Sequence, residues 1–221
     1  MAQDLTTLAR CQGNWGLIAA LADADGTSRH PMPTRLAARD AAVRDLSDAI
    51  HAWCWLHGRQ PGLIEYAIQT NAQPLAQEWL IEAAAGFAAE RSYLARLVAA
   101  AGHQPSTPGQ AESEAAVLGQ RHALDMLAQS ERTGCATGAA IALVIDWAAI
   151  RVPLDAAARR FGVEPAPFPL PLDSEIETVV LSLGQSPAIE RAMAFGAQQL
   201  LAQHRGLWTL IEARASARDA L

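Results

Sequence analysis

Residues 133–150 read TGCATGAAIALVIDWAAI and form the most apolar run of the chain. The run is about as long as the shortest membrane-spanning helices, but it contains Asp146 and is soon followed by Pro153. We therefore predict a buried core helix over residues 135–161, which Pro153 should kink. Asp146 is the only charged residue within the run, so a fold built around this helix has to bury a carboxylate.

The composition extends the helical interpretation to the whole chain. The 221 residues include 48 alanines, the strongest helix former, whereas aromatic residues make up only 5%. No internal repeat and no shift in composition marks a domain boundary. We predict a single all-α domain over residues 1–221, an antiparallel bundle of about seven or eight helices, five of them long.

Capping residues and helix breakers place the individual helices. They predict helices over residues 4–22, 34–57, 61–70, 71–101, 107–132, 135–161, 174–184 and 187–218. Prolines recur through residues 165–173, which are predicted to form an extended strap across the end of the bundle.

The charged residues exclude several classes of function. All 17 basic residues are arginine, which excludes pyridoxal phosphate and other Schiff-base enzymes, as well as nucleotide sites of the phosphate-loop type. A net charge of −6 leaves no basic face for nucleic acid. The three cysteines form no disulfide or metal-ligand pattern, and the N-terminus lacks a secretory signal. We therefore expect a cytoplasmic protein that binds neither nucleic acid nor membrane.

Helical phase separates polar side chains that face the core from those that face solvent. We call the polar residues that face the core the core set. Arg39 falls on the core side of the predicted helix over residues 34–57 and is a supporting member of this set. Such groups have to contact one another, a ligand, a metal ion or water, because an unpaired buried charge is costly. Four further candidates lie on the apolar sides of four different long helices: His57, Glu90, Asp146 and His204.

Two interpretations of this set stay open. Two carboxylates and two imidazoles are a plausible ligand set for a metal ion inside a bundle, and the same pocket could take a small molecule. The alternative is a buried hydrogen-bonded network that holds the helices in register, in a non-enzymatic protein that forms homo-oligomers. Trp55 favours the second interpretation, since it is predicted to be exposed and exposed tryptophans often anchor dimer interfaces.

Two further pairs have the spacing of metal ligands. Asp48 with His51, and His122 with Asp125, place a carboxylate and a histidine three residues apart, as in di-iron bundles. Helical phase puts both pairs on the outer faces of their helices. We therefore expect surface charges at these positions and regard them as weak metal candidates.

The order and lengths of the helices resemble those of ferritin-like and haem-oxygenase-like bundles. The likeness is one of architecture, because no Glu-x-x-His pair of the ferritin-like di-iron proteins occurs in the chain. The segments HGRQPG (57–62), STPGQAESE (106–114) and QQLLAQHRG (198–206) resemble those of an uncharacterised bacterial family with no assigned activity. This resemblance implies no cofactor and no reaction.

Overall fold

The computed structural model describes residues 15–70, 73–104, 106–183 and 186–220. The described residues are mostly helical and include no strand, which confirms the predicted all-α fold. Two 3-10 turns, Thr27–Arg29 and Pro74–Ala76, precede the second and fifth helices. The helices are α1 (15–25 of the described part), α2 (Pro31–Ala37), α3 (Val43–His57), α4 (Leu63–Thr70), α5 (Gln77–Ala101), α6 (Gln110–Ala128), α7 (Cys135–Arg160), α8 (Asp173–Leu183) and α9 (Pro187–Asp219).

Helix α7 lies at the centre and packs most extensively against α9. Every residue from Cys135 to Val144 is buried, as its apolar sequence predicts. Gly138 and Gly196 allow the two backbones to touch: a Cβ on Gly138 would collide with the backbone of Met193. The two long helices therefore form one tightly packed unit, from which Asp146 and His204 project.

Helix α7 is long and apolar enough to cross a membrane by length and composition alone. Most of its apolar window is buried inside the structure, as in the core helix of a soluble protein. The prediction of a core helix is confirmed, and the helix continues through Pro153 to Arg160.

The predicted helix over residues 34–57 is wrong, because the structure contains two helices there. Helix α2 ends at Ala37 and α3 begins at Val43, with extended backbone at Ala38 and Ala42. Residues 38–42 include neither glycine nor proline, so packing of α2 against α7 overrides their helical propensity. Arg39 consequently lies in an exposed turn and is not a member of the core set.

Other boundaries move by a few residues. Helix α5 begins at Gln77 after a 3-10 turn, and α6 ends at Ala128. The predicted caps at residues 4, 71 and 184 lie outside the described residues. Residues 163–169 have no regular secondary structure, and Leu170 is buried against the core, so the strap covers one part of the bundle.

Candidate functional site

A hydrogen-bonded chain of side chains crosses the core beside the middle of α7. Asp146 Oδ1 accepts a hydrogen bond from the backbone N–H of Thr27 at 2.7 Å, and Oδ2 accepts one from the Thr27 hydroxyl at 2.7 Å. Oδ2 also lies 2.6 Å from Nδ1 of His204. The Nε2 atoms of His204 and His57 are 2.9 Å apart. We call Asp146, His204 and His57 the relay.

The surroundings of the relay determine where its protons are held. Burial raises the pKa of Asp146. The hydrogen bond and charge of His204, together with the hydrogen bonds from Thr27, lower it by more, so the net pKa lies below the ordinary value. Because an ionised carboxylate only accepts hydrogen bonds, Nδ1 of His204 carries a proton. One further proton lies between the two Nε2 atoms. Burial, the neighbouring His204 and Arg91 hold the pKa of His57 well below its ordinary value, so His57 is neutral at pH 7.

Aromatic rings enclose both histidines. Trp53 stacks on His57 with a centroid distance of 5.9 Å and meets the His204 ring edge-on at 5.0 Å. Trp147 and Phe87 meet the His57 ring edge-on, with centroid distances of 5.5 and 5.9 Å. The rings exclude water from the relay, which raises the free-energy cost of a positive imidazolium, while the faces of tryptophan partly offset that cost.

His57 connects the relay to a recess at the C-terminal end of α3. This His57 recess has a volume of about 20 Å³, room for about one water molecule. No hydrogen bond joins Nδ1 of His57 to another of the described residues, and His57 lines the recess. The charged residues that line the recess are Arg59, Arg91, Arg121 and Asp125.

The three arginines differ in their partners. Arg59 pairs with Asp125 at 2.6 Å. Arg91 pairs with Glu65 and lies 5.2 Å above the Phe87 ring. Arg121 is half-buried and forms no ion pair with the part of the chain that the structure describes. Three guanidinium groups against two carboxylates leave the recess with a net positive charge, in a protein whose overall charge is −6.

Glu90 is buried as predicted but belongs to a different network. It accepts hydrogen bonds from Trp147 Nε1 at 2.8 Å and from Arg151 Nη1 at 2.5 Å. Burial raises the pKa of Glu90, and the bonds from Trp147 and Arg151 oppose that rise. Arg151 also donates to the carbonyl oxygen of Ala166 in the strap at 2.7 Å. Glu90 therefore anchors the strap, and only His57, Asp146 and His204 of the four candidates come together.

The described residues do not assemble a metal site. No three His, Cys, Asp or Glu side chains among them are grouped so as to hold a metal ion. Two nitrogen ligands of a tetrahedral metal at about 2.0–2.1 Å lie about 3.3 Å apart. The Nε2 atoms of His57 and His204, at 2.9 Å, instead share one hydrogen, and His204 already uses both of its ring nitrogens.

The prediction of surface positions for Asp48 and His51 is wrong. Both residues are buried. Asp48 accepts hydrogen bonds from Arg214 at 3.0 Å and from Arg218, and His51 Nε2 lies 2.9 Å from the carbonyl oxygen of Gly102. Helical phase fails here because a charged face of α9 covers a charged face of α3, so the apolar residues of α3 do not mark all of its buried side.

In the second pair the predicted surface position is confirmed for His122. His122 is exposed, and Asp125 is partly exposed and pairs with Arg59 at the rim of the His57 recess. The sequence pattern singled out Asp125 only as a weak metal candidate paired with His122, and it gave the recess arginines no role. A usable signal was the segment HGRQPG, in which His57 and Arg59 precede the first turn of α4.

Thr27 is a further residue that the sequence did not single out. Its hydroxyl donates to Asp146 and accepts a hydrogen bond from Trp208 Nε1 at 2.9 Å. Gly26 allows this approach, because a Cβ there would lie 2.9 Å from Asp146 Oδ1. A glycine followed by threonine in a short turn is too common a pattern to have predicted this contact.

Comparison with known families adds one finding. Residues 22–219 match a family of unknown function, DUF6975. The chain belongs to this family. The matched range contains the whole relay and every residue that lines the His57 recess. No curated protein and no solved structure matches the chain.

Proposed function

We propose that this protein binds a small molecule at the His57 recess and exchanges a proton with it through the relay. One observation carries the proposal: a continuous hydrogen-bonded path joins a buried, ionised carboxylate to Nδ1 of His57, which has no partner among the described residues. General acid–base chemistry uses this arrangement, with a histidine at the ligand and a carboxylate behind it.

The relay moves a proton in two steps. A ligand group that loses a proton gives it to Nδ1 of His57. The hydrogen on Nε2 of His57 then passes to Nε2 of His204, 2.9 Å away. The positive charge arrives beside Asp146, where an ion pair at 2.6 Å stabilises it. The reverse sequence returns the proton to the ligand.

Thr27 and the aromatic rings support this exchange. Two hydrogen bonds from Thr27 orient the carboxylate of Asp146. Together with the larger effect of His204 they hold the pKa of Asp146 below its ordinary value, so the proton stops at His204. The surrounding tryptophans keep water from bypassing His57. Nδ1 of His57 has no partner among the described protein groups, so it is available to a molecule in the recess.

Nitrogen-15 NMR of the imidazole rings tests the proposal, because it identifies which ring nitrogens carry protons. We expect Nδ1 of His57 to be unprotonated and Nδ1 of His204 protonated at pH 7. A set of small acids, alcohols and amines should include molecules that shift the His57 ring signals. His103, which is exposed, serves as the control, and its signals should not change. A protonated Nδ1 on neutral His57, or a His57 that no molecule in the set reaches, contradicts the proposal.

Self-association is the second candidate. Trp55, its original support, is half-buried and packs against the core, so it is a weak anchor for a dimer. Exposed leucines on α8 or beside it favour self-association. Leu75, Leu172 and Leu181 are 69%, 67% and 57% exposed. Light scattering that gives twice the mass of the chain, reduced to the single mass by Leu172→Glu, supports this candidate.

A further inference from the structure

We infer that the group bound in the His57 recess is the carboxylate of a small organic acid, and that it enters together with one proton. The inference rests on the proposed function and adds the chemical class of the ligand. Its support comes from the arginines of the recess, the first turn of α4, the size of the recess and the lone pair on His57.

Arg91 and Arg121 supply the charge that an anion requires. Arg91 is fixed in place by Glu65 and by the face of Phe87, so ordering it for a ligand costs little entropy. Arg121 lines the same recess and has no acidic partner in the described ranges. A guanidinium group binds the two oxygens of a carboxylate with two parallel hydrogen bonds.

The first turn of α4 adds backbone N–H groups at the same place. Gly62 and Leu63, where α4 begins, line the recess. Glu65 accepts a hydrogen bond from the N–H of Gly62 at 3.0 Å, which is half of a capping box. The other half is missing, because Gly62 has no side-chain oxygen to accept from the next amides. The carboxylate of Glu65 offsets part of the positive end of this eight-residue helix, and the amides that follow Gly62 are the ones left for an anion.

Arg91 also belongs to this end of α4. A Cβ on Gly62 would lie 3.4 Å from Nη1 of Arg91, so the guanidinium group packs directly against the start of the helix. The two sources of positive charge thus act on the same small volume.

The size of the recess selects the kind of anion. About 20 Å³ holds about one water molecule, so only the tip of a ligand can enter. A carboxylate is planar and presents two oxygens. A phosphate is tetrahedral and presents four oxygens, so it is bulkier than a carboxylate. The remainder of the organic acid has to extend outward past Arg59 and Asp125 at the rim.

The lone pair on Nδ1 of His57 explains why a proton enters with the anion. A carboxylate oxygen and an unprotonated Nδ1 are both acceptors and repel each other. When Nδ1 takes a proton from solvent, it donates to the carboxylate, and the Nε2 hydrogen moves to His204, whose charge pairs with Asp146. One proton and one anion are taken up together, and no other bond forms or breaks.

Charged groups on every neighbouring element determine the direction of this coupling. His204 on α9 and Asp146 on α7 lie behind His57. In front of it, the charged residues that line the recess are Arg59 in the loop between α3 and α4, Arg91 on α5, and Arg121 and Asp125 on α6. Glu65 on α4 pairs with Arg91. The net positive charge of the recess opposes protonation of His57 while the recess is empty. A bound anion removes that opposition, so affinity should rise about tenfold for each unit of pH lost between pH 8 and pH 6.

Isothermal titration calorimetry with acetate, acetamide and inorganic phosphate as probes tests the inference. We expect acetate to bind with uptake of one proton, measured in two buffers of different ionisation enthalpy. Acetamide, which has the same shape without the charge, and phosphate should bind at least tenfold more weakly. Arg121→Gln should reduce acetate affinity at least tenfold and keep the proton uptake, whereas His57→Gln should abolish the uptake. Arg159→Gln, an exposed arginine on α7, is the matched control and should change neither.

The failures of the two proposals are distinguishable. Acetate binding that is independent of pH, or that Arg121→Gln leaves unchanged, overturns the inference. Preferential binding of phosphate or acetamide also overturns the inference. The proposed function still holds in that case if these probes shift the His57 ring signals. If every probe and every member of the NMR set leaves those signals unchanged in folded protein, the proposed function itself fails.

Discussion

The Nε2 atoms of His57 and His204 lie 2.9 Å apart although 147 residues separate the two histidines in the chain. Each histidine comes from a long helix, α3 and α9, and both helices pack against α7, which carries Asp146. Because two nitrogens at this distance share one hydrogen, the protonation of either histidine depends on the other. This dependence is what allows a buried carboxylate to influence a group at the surface recess.

Asp146→Asn should destabilise the protein by about 3 to 5 kcal/mol, because it removes the anion that accepts bonds from His204 and Thr27 in a buried position. Urea unfolding followed by circular dichroism measures the loss. Asp40→Asn makes the same change at an exposed turn and should have an effect below about 0.5 kcal/mol. Equal stability of both variants would contradict the role of Asp146 in the relay.

A metal chelator should leave the melting temperature unchanged. The polar groups of the relay satisfy one another through hydrogen bonds, so the folded state needs no bound ion for its stability. Differential scanning calorimetry with and without the chelator, together with elemental analysis, gives the answer. A clear fall in melting temperature on chelation, reversed by one added metal, would favour a metal centre over the relay.

Stability should fall as the pH drops below about 6.5. The pKa of His57 in the folded protein is held well below its ordinary value, so below pH 6.5 the unfolded chain binds more protons than the folded one. His57 alone changes the free energy of unfolding by at most about 1.4 kcal/mol per pH unit. His30, whose pKa is also lowered, changes it in the same direction. Asp146 has a lowered pKa too, and its contribution is lost only below about pH 3.8.

Urea unfolding at a series of pH values measures this slope. His57→Gln should make the slope smaller between pH 6.5 and pH 5 and leave the part that His30 contributes. His122→Gln, at an exposed position, should leave the slope unchanged. A slope that His57→Gln does not alter would mean that His57 is protonated equally in the folded and unfolded states.

Gly138→Leu should prevent α7 from packing against α9. The added side chain collides with the backbone of Met193, which cannot move without separating the two helices. We expect a loss of about 3 kcal/mol or more, or no folded protein. Gly119→Ala on α6 is the control: a Cβ there meets nothing within 4 Å, and the variant should be at least as stable as the wild type. Stable, folded Gly138→Leu protein would contradict the close approach of α7 and α9.

The sequence predicted those parts of the site that depend on apolar periodicity. Asp146 interrupts an apolar run, and His57 and His204 follow the apolar stripes of α3 and α9, so their burial could be predicted. Which groups meet could not be predicted, because the order of helices around α7 depends on packing between distant segments. Glu90 therefore appeared equivalent to Asp146, although it binds Arg151 and the strap.

Two errors have a common physical origin. Helical phase in one continuous helix over residues 34–57 places Arg39 on the core side and Asp48 on the outer face. In both cases tertiary contacts decide: α2 turns away to pack on α7, and Arg214 and Arg218 of α9 cover Asp48. A local sequence pattern cannot predict that one polar helix face is buried by the polar face of another helix.

The scalar coupling between the Nε2 nuclei of His57 and His204 tests the central claim most directly, because it passes only through a shared hydrogen. We predict a measurable nitrogen–nitrogen coupling in uniformly nitrogen-15-labelled protein at pH 7, and no coupling in His57→Gln. If the two rings are resolved and assigned in folded protein and no coupling joins their Nε2 atoms, the relay does not exist and the proposed proton exchange is wrong.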